Sequence, residues 1–181
     1  MKTVSVFCGA TVSAQKKQQY FKLAYRAGKL LAYGGFRIVC GGGRGLMHEL
    51  CRGAKNQGGE TVGFCLDKKN LTHSDCLSKR IMIKDLYLRQ QKILDAGDAY
   101  LALPGGVGTF FEILEIIEKK KVGEISLNKP FVIVDKYFND LKKQLTLSHK
   151  NGFTPEEIDD FVVFSDRIEK GVIKLKKLLK I

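Results

Sequence analysis

Two glycine-rich runs in the 181-residue chain have the composition to hold an anion. Gly41-Gly42-Gly43-Arg44-Gly45 leaves an apolar stretch ending at Cys40 and enters a helical pattern near Leu46. Pro104-Gly105-Gly106-Val107-Gly108-Thr109 follows the apolar stretch Ala99 to Leu103 and opens another helical pattern. Residues without a Cβ let the main chain come close to an oxyanion, and the free N–H groups and positive dipole of a helix start favour it. Gly42 and Gly43 of the first run, and Gly105, Gly106, Val107, Gly108 and Thr109 of the second, are therefore candidate phosphate contacts. A tight strand-to-helix turn is the plainer reading of the first run. Neither run has the G-x-G-x-x-G spacing of dinucleotide binders or the G-x-x-x-x-G-K-[ST] of P-loop proteins.

Two charged residues could act beside such a cradle. Thr109-x-x-Glu112 is the spacing of a capping box, in which hydroxyl and carboxylate satisfy two orphan N–H groups at a helix start. Spacing alone leaves capping and chemistry both open for Glu112. Arg89 carries five N–H donors that stay charged near neutral pH, suited to a phosphate or to the Glu112 carboxylate. As a solvated helix arginine it would do neither. Other signals point away from chemistry. His48-Glu49 lacks the H-E-x-x-H spacing because position 52 is Arg, His73 and His149 have no partner at ligand spacing, and no G-x-S-x-G elbow occurs. The five cysteines are scattered and contain no C-x-x-C pair, so a zinc site is not expected and unpaired thiols in a reducing compartment are.

The elements that must position these residues alternate along the chain. Strand patterns cover Val4–Cys8, Phe36–Cys40, Thr61–Cys65, Arg80–Ile83, Ala99–Leu103, Phe131–Asp135 and, as strand or extended segment, Phe161–Phe164. Helical patterns cover Ala14–Tyr33, Leu46–Gln57, Tyr87–Ala96, Thr109–Lys121, Phe138–Lys150 and Arg167–Lys180. Stacked βα units of this kind predict an α/β fold: a Rossmann-like open parallel sheet of six or seven strands with helices on both faces, in one domain spanning 1–181. Ligands of such sheets bind outside the carboxyl ends of the strands where strand order reverses, which draws attention to the two glycine loops and to Cys8-Gly9-Ala10-Thr11.

Composition bounds the rest. Hydrophobic residues at 44% and charged residues at 28% are ordinary globular usage, which excludes disordered and collagen-like chains. No window approaches a membrane span and no signal-peptide core follows Lys2, so a cytoplasmic protein with no membrane partner is expected. The net charge of +12 raises encounter rates with anions of every kind. Much of the excess lies in Lys119–Lys121 and Lys174–Lys180, which read as solvated helix faces, so nucleic acid is not the expected partner.

The residues Cys40 to Met47, Arg89, and Pro104 to Glu112 together resemble the Lonely Guy family of phosphoribohydrolases, often mislabelled lysine decarboxylases. Pro104 to Glu112 matches the family pattern P-G-G-x-G-T-x-x-E at every fixed position, and the resemblance extends over roughly residues 1 to 152. The chain departs from the family in a glycine turn one residue shorter, in His48 where a small residue is usual, and in Tyr87-Leu88-Arg89-Gln90 where M-H-x-R-K is usual. The resemblance implies a cofactor-free, usually dimeric enzyme that hydrolyses the N-glycosidic bond of a nucleoside 5′-monophosphate, AMP or a cytokinin-type nucleotide. Free base and ribose 5-phosphate are the products. It places Glu112 and Arg89 as catalytic residues and the glycine loops on the phosphate, and it implies a homodimer. A non-catalytic binder or carrier of a phosphorylated ligand on the same scaffold is the alternative. A pyridoxal-type decarboxylase would need a Schiff-base lysine, and no residue is singled out for that role.

Overall fold

Short runs of β-branched and aromatic residues become strands here because helices cover them on both sides. In the computed structural model, which describes residues 1–181, the order is β1 (Thr3–Phe7), α1 (Ala14–Tyr33), β2 (Arg37–Cys40), α2 (Leu46–Lys55), β3 (Thr61–Leu66), β4 (Lys79–Ile83), α3 (Leu86–Ala96) and β5 (Ala99–Ala102). Then follow α4 (Val107–Lys121), β6 (Phe131–Val134), α5 (Asn139–Lys150), α6 (Ile158–Phe161), β7 (Val163–Ser165) and α7 (Ile168–Leu179). The seven strands form one sheet in the order β4-β3-β2-β1-β5-β6-β7. Every pairing is parallel.

Successive strand residues point to opposite faces, and each face has its own core. Val4 and Val6 of β1, Leu101 of β5 and Val132 and Val134 of β6 pack under α1, α2 and α7. Phe7, Tyr100, Ala102, Phe131 and Ile133 pack against α3, α4 and α6. On the first face α1 and α2 approach closely because Gly28 and Gly53 lie at their crossing. A Cβ on Gly28 would strike the Leu50 carbonyl, and one on Gly53 the Tyr25 carbonyl.

Three local expectations change. The span Phe161–Phe164 splits into the end of α6 and the start of β7, with an Asp160 carboxylate and Glu157 closing a capping box that starts the short helix. The run Lys119–Lys121 is not a uniform solvated face. Lys120 follows Ile113, Ile116 and Ile117 at helical spacing on the inward side, and its Nζ donates to the carbonyls of Leu127 and Phe161. The buried ammonium has its pKa lowered to about 8 by desolvation. Finally, α4 begins earlier than Thr109, with consequences for the site.

Candidate functional site

Strand order reverses between β1 and β5, so the loops after these strands diverge and leave a crevice at their carboxyl ends. The β1 loop ties its neighbours together: Gly9 N–H donates to the Pro104 carbonyl at 3.1 Å, and Leu46 N–H donates to the Gly9 carbonyl at 3.1 Å. The starts of α2 and α4 are thereby fixed on either side of one cleft of about 260 Å³. Cys8, Gly9, Thr11, Gly41, Met47, Arg89, Gly106, Gly108, Thr109 and Glu112 line it.

The start of α4 leaves its first backbone donors without intrahelical partners. Gly106 is the N-cap in an extended conformation, and the helix ladder begins with Phe110 N–H donating to the Gly106 carbonyl at 3.1 Å. The N–H groups of Val107, Gly108 and Thr109 precede that ladder, at the positive end of the helix dipole. Tyr137, at the 3₁₀ turn before α5, donates its hydroxyl to the Gly105 carbonyl at 2.7 Å and steadies the loop from outside. Thr109 is thus the third helical residue, and the capping box that its spacing to Glu112 allows does not form. Glu112 lies in the second turn, past the orphan N–H groups, and its carboxylate turns into the cleft.

There it meets Arg89 of α3, with Nη2 at 3.5 Å from Oε1. Both side chains are largely buried, Glu112 at 12% exposure and Arg89 at 16%. Arg89 is therefore not a solvated helix residue, and its buried Nε has no protein partner. A buried donor without a partner costs free energy, so it is the kind of group a ligand oxygen would satisfy. Desolvation pushes the Glu112 carboxyl up to about 7, with Arg89 pulling it down and Glu115 pushing it further up. Burial dominates the ion pair, so Glu112 titrates in the neutral range rather than near the usual carboxylate value.

The glycines divide by role. Gly106 and Gly108 line the cleft and Gly105 its neighbouring flank beside Thr11 and Tyr137, while the Val107 side chain points to solvent. Gly42 is buried away from the cleft at φ +66, where a Cβ would strike Cys65 Sγ. Its carbonyl accepts from Ser74 N–H at 2.8 Å. Gly43 pairs with His73 across an isolated bridge. In the first run the residue facing the cleft is Gly41, packed near the Arg89 guanidinium. Sequence reasoning did not single out Gly41, Met47 or Tyr137. Only the position of Gly41 just after β2 and of Met47 just inside α2, on either side of a glycine turn, signals them in the sequence.

Comparisons with known proteins place the chain in one family. A family model described as "Possible lysine decarboxylase" matches residues 47–175. A Rhodococcoides fascians protein named cytokinin riboside 5′-monophosphate phosphoribohydrolase is 31% identical over 183 residues, covering 97% of this chain and 89% of the relative. An Arabidopsis thaliana protein of the same name is 28% identical over 178 residues, covering 96% of this chain and 81% of the relative. Among solved structures, a molybdenum cofactor binding protein from Rippkaea orientalis aligns with a TM-score of 0.77 at 20% identity, over 98% of this chain and 97% of that one. That likeness is one of fold.

Proposed function

Because the chain belongs to the Lonely Guy family, whose model carries the lysine decarboxylase description, we propose that it is a nucleoside 5′-monophosphate phosphoribohydrolase. The observation that carries this reading is the buried pair of Glu112 and Arg89 facing the start of α4 across one cleft. A cradle that only held a phosphate would gain nothing from a carboxylate beside its anion.

In this reading the 5′-phosphate of the substrate lies on the N–H groups of Val107, Gly108 and Thr109, with Gly105, Gly106 and the Thr109 hydroxyl around it. Gly42 and Gly43 contribute by shaping the first loop, between β2 and α2. The bond between C1′ and the base nitrogen breaks, water adds to C1′ as the new hydroxyl, and the water's other proton goes to the departing base. Positive charge builds on the ribosyl ring as that bond lengthens, as in glycoside hydrolysis, and a fixed carboxylate stabilises it or orients the water. Glu112 takes that role in its ionised form, and Arg89 positions it while offering its free donor to a substrate hydroxyl or phosphate. A pyridoxal-type decarboxylation has no support in these residues, since no lysine lines the cleft.

The substrate we propose is AMP or an N6-substituted, cytokinin-type nucleotide, hydrolysed in the cytoplasm, where the chain's five free thiols are at home. The test is chromatography of the purified protein incubated with a panel of nucleoside monophosphates and nucleosides. Release of free base and ribose 5-phosphate is expected, with AMP-like nucleotides turned over far faster than matching nucleosides. Equal rates for adenosine and AMP would remove the phosphate cradle, and tight nucleotide binding without any turnover would establish the carrier alternative.

A homodimer is proposed as well. Of Leu86, Ile93, Leu94, Ile113, Ile116 and Ile117, all but Leu86 are buried within the chain itself. The exposed apolar side chains of α3 and α4 are Leu86, Tyr87, Leu88, Val107, Phe111 and Leu114. The two helices are held side by side by the Arg89–Glu112 pair and by Gln91 donating to Glu115.

A further inference from the structure

One cluster of donor atoms lies outside the carboxylate–arginine pair. His48, in the first turn of α2, meets Asp75 and Cys76 of the segment joining β3 to β4. Its Nδ1 is 3.4 Å from Asp75 Oδ1 and 3.2 Å from Ser74 Oγ. Cys76 Sγ is 3.6 Å from the same Asp75 oxygen, and the nitrogen, oxygen and sulfur all lie within 4.8 Å of one another.

The nitrogen–oxygen and sulfur–oxygen separations match two edges of a tetrahedron around zinc, and the nitrogen and sulfur lie within 4.8 Å of each other. Bonds of ~2.0 to 2.1 Å to nitrogen, ~2.0 to 2.2 Å to oxygen and ~2.3 Å to sulfur set nitrogen–oxygen and sulfur–oxygen edges at roughly 3.3 to 3.6 Å. The donor set is also of the right kind. A neutral imidazole, a carboxylate and a thiolate bring two negative charges, which one divalent ion neutralises, and soft sulfur with imidazole favours zinc over magnesium or calcium. Asp75 also meets Arg44 Nη1 at 3.5 Å, on a side chain 49% exposed.

We infer that His48 Nδ1, Asp75 Oδ1 and Cys76 Sγ form a zinc-binding site whose fourth position is open to water. Binding replaces the Cys76 S–H bond by a zinc–sulfur bond and releases the proton to solvent. The ion joins two segments that already touch: Ser74 N–H donates to the Gly42 carbonyl and Gly43 bridges to His73. Zinc therefore clamps the segment between β3 and β4 onto the glycine turn that starts α2. Templates of ligand spacing miss the site because its ligands come from two distant stretches of chain.

The experiment uses the full chain stripped of metal with a chelator, and reads metal binding rather than catalysis. Zinc is titrated against a chromophoric chelator, and cobalt(II) is added separately as a spectroscopic probe. One equivalent per chain is expected, with the thiolate-to-cobalt charge-transfer absorption of a tetrahedral site. His48→Ala and Cys76→Ser should each weaken zinc binding by ~100-fold or more, since even outer-shell partners of bound metals contribute ~10- to 100-fold. Cys76→Ser should also abolish the charge-transfer band, and the exposed Asp75→Asn, which leaves the metal-free melting temperature unchanged, should weaken binding as well. Binding below one equivalent, a charge-transfer band that survives Cys76→Ser, or unchanged affinity in Asp75→Asn would each overturn the proposal.

Discussion

Glu112 carries two opposing demands. The cleft must exclude water for its charge to act strongly on a developing cation, yet the same burial penalises that charge. The result is a carboxyl pushed up to about 7, which makes two measurable claims. If the ionised form acts, the hydrolysis rate should rise with pH through about 7 and level off above it, and Glu112→Gln should lose this limb in a pH–rate profile. The same variant should keep nucleotide binding while hydrolysis falls by ~10² or more, the scale of losing a preorganised electrostatic group. Parent-level turnover in Glu112→Gln would remove the carboxylate from the mechanism. Stability must follow with its own sign. The folded carboxyl holds a proton that the unfolded chain releases near 4.5, so its contribution is fullest below 4.5 and is lost as pH rises to about 7, by at most about 3 kcal/mol. Glutamine does not titrate. Melting temperatures of the two proteins should accordingly be similar near pH 5 and diverge in favour of the variant by pH 8.

At the scale of elements, the crossing of α1 and α2 sets where the glycine turn sits, because α2 carries that turn at its start. Helix propensity alone says that Gly28→Ala in the middle of α1 should stabilise by roughly 0.5 to 1 kcal/mol. Packing says otherwise, since the added methyl would meet the Leu50 carbonyl of a rigid partner helix. Overpacking costs typically ~1 to 3 kcal/mol, so packing wins and Gly28→Ala should lower the urea midpoint. A raised midpoint would show that the two helices can part without penalty. The start of α4 shows the same competition at a terminus. Thr109 and Glu112 have the spacing of a capping box, but Gly106 takes the N-cap and moves the helix start ahead of Thr109, which frees the carboxylate for the cleft.

For the whole molecule, the exposed apolar residues of α3 and α4 argue for association. Light scattering at micromolar concentration should give twice the 20.3 kDa of one chain. Phe111→Glu and Leu114→Glu should shift it toward a single chain, because a buried unpaired carboxylate is strongly unfavourable at an interface. A mass of one chain for the parent protein would contradict the dimer. No helix is long and apolar enough to cross a membrane, so these side chains have no lipid to face as part of a spanning helix.

The alternation of strand and helix was legible in the sequence because a buried parallel strand needs an apolar run and its crossover needs an amphipathic one. Ala14–Tyr33 was readable to both ends, and the other strands and longer helices to within a few residues. The glycine loops, Arg89 and Glu112 were legible as residues because their types and order along the chain carry the chemistry. What they do could not be read there. Whether Glu112 caps or faces a cleft, and whether Arg89 is solvated, depends on where α3 and α4 lie on the sheet. So does the inward turn of Lys120, and so does the meeting of His48 with Asp75 and Cys76. Each joins groups far apart along the chain, whose separation is set by strand order and helix packing. Local sequence fixes a residue's conformational preference and its face, but burial, and with it the Glu112 pKa, is a property of everything packed around it.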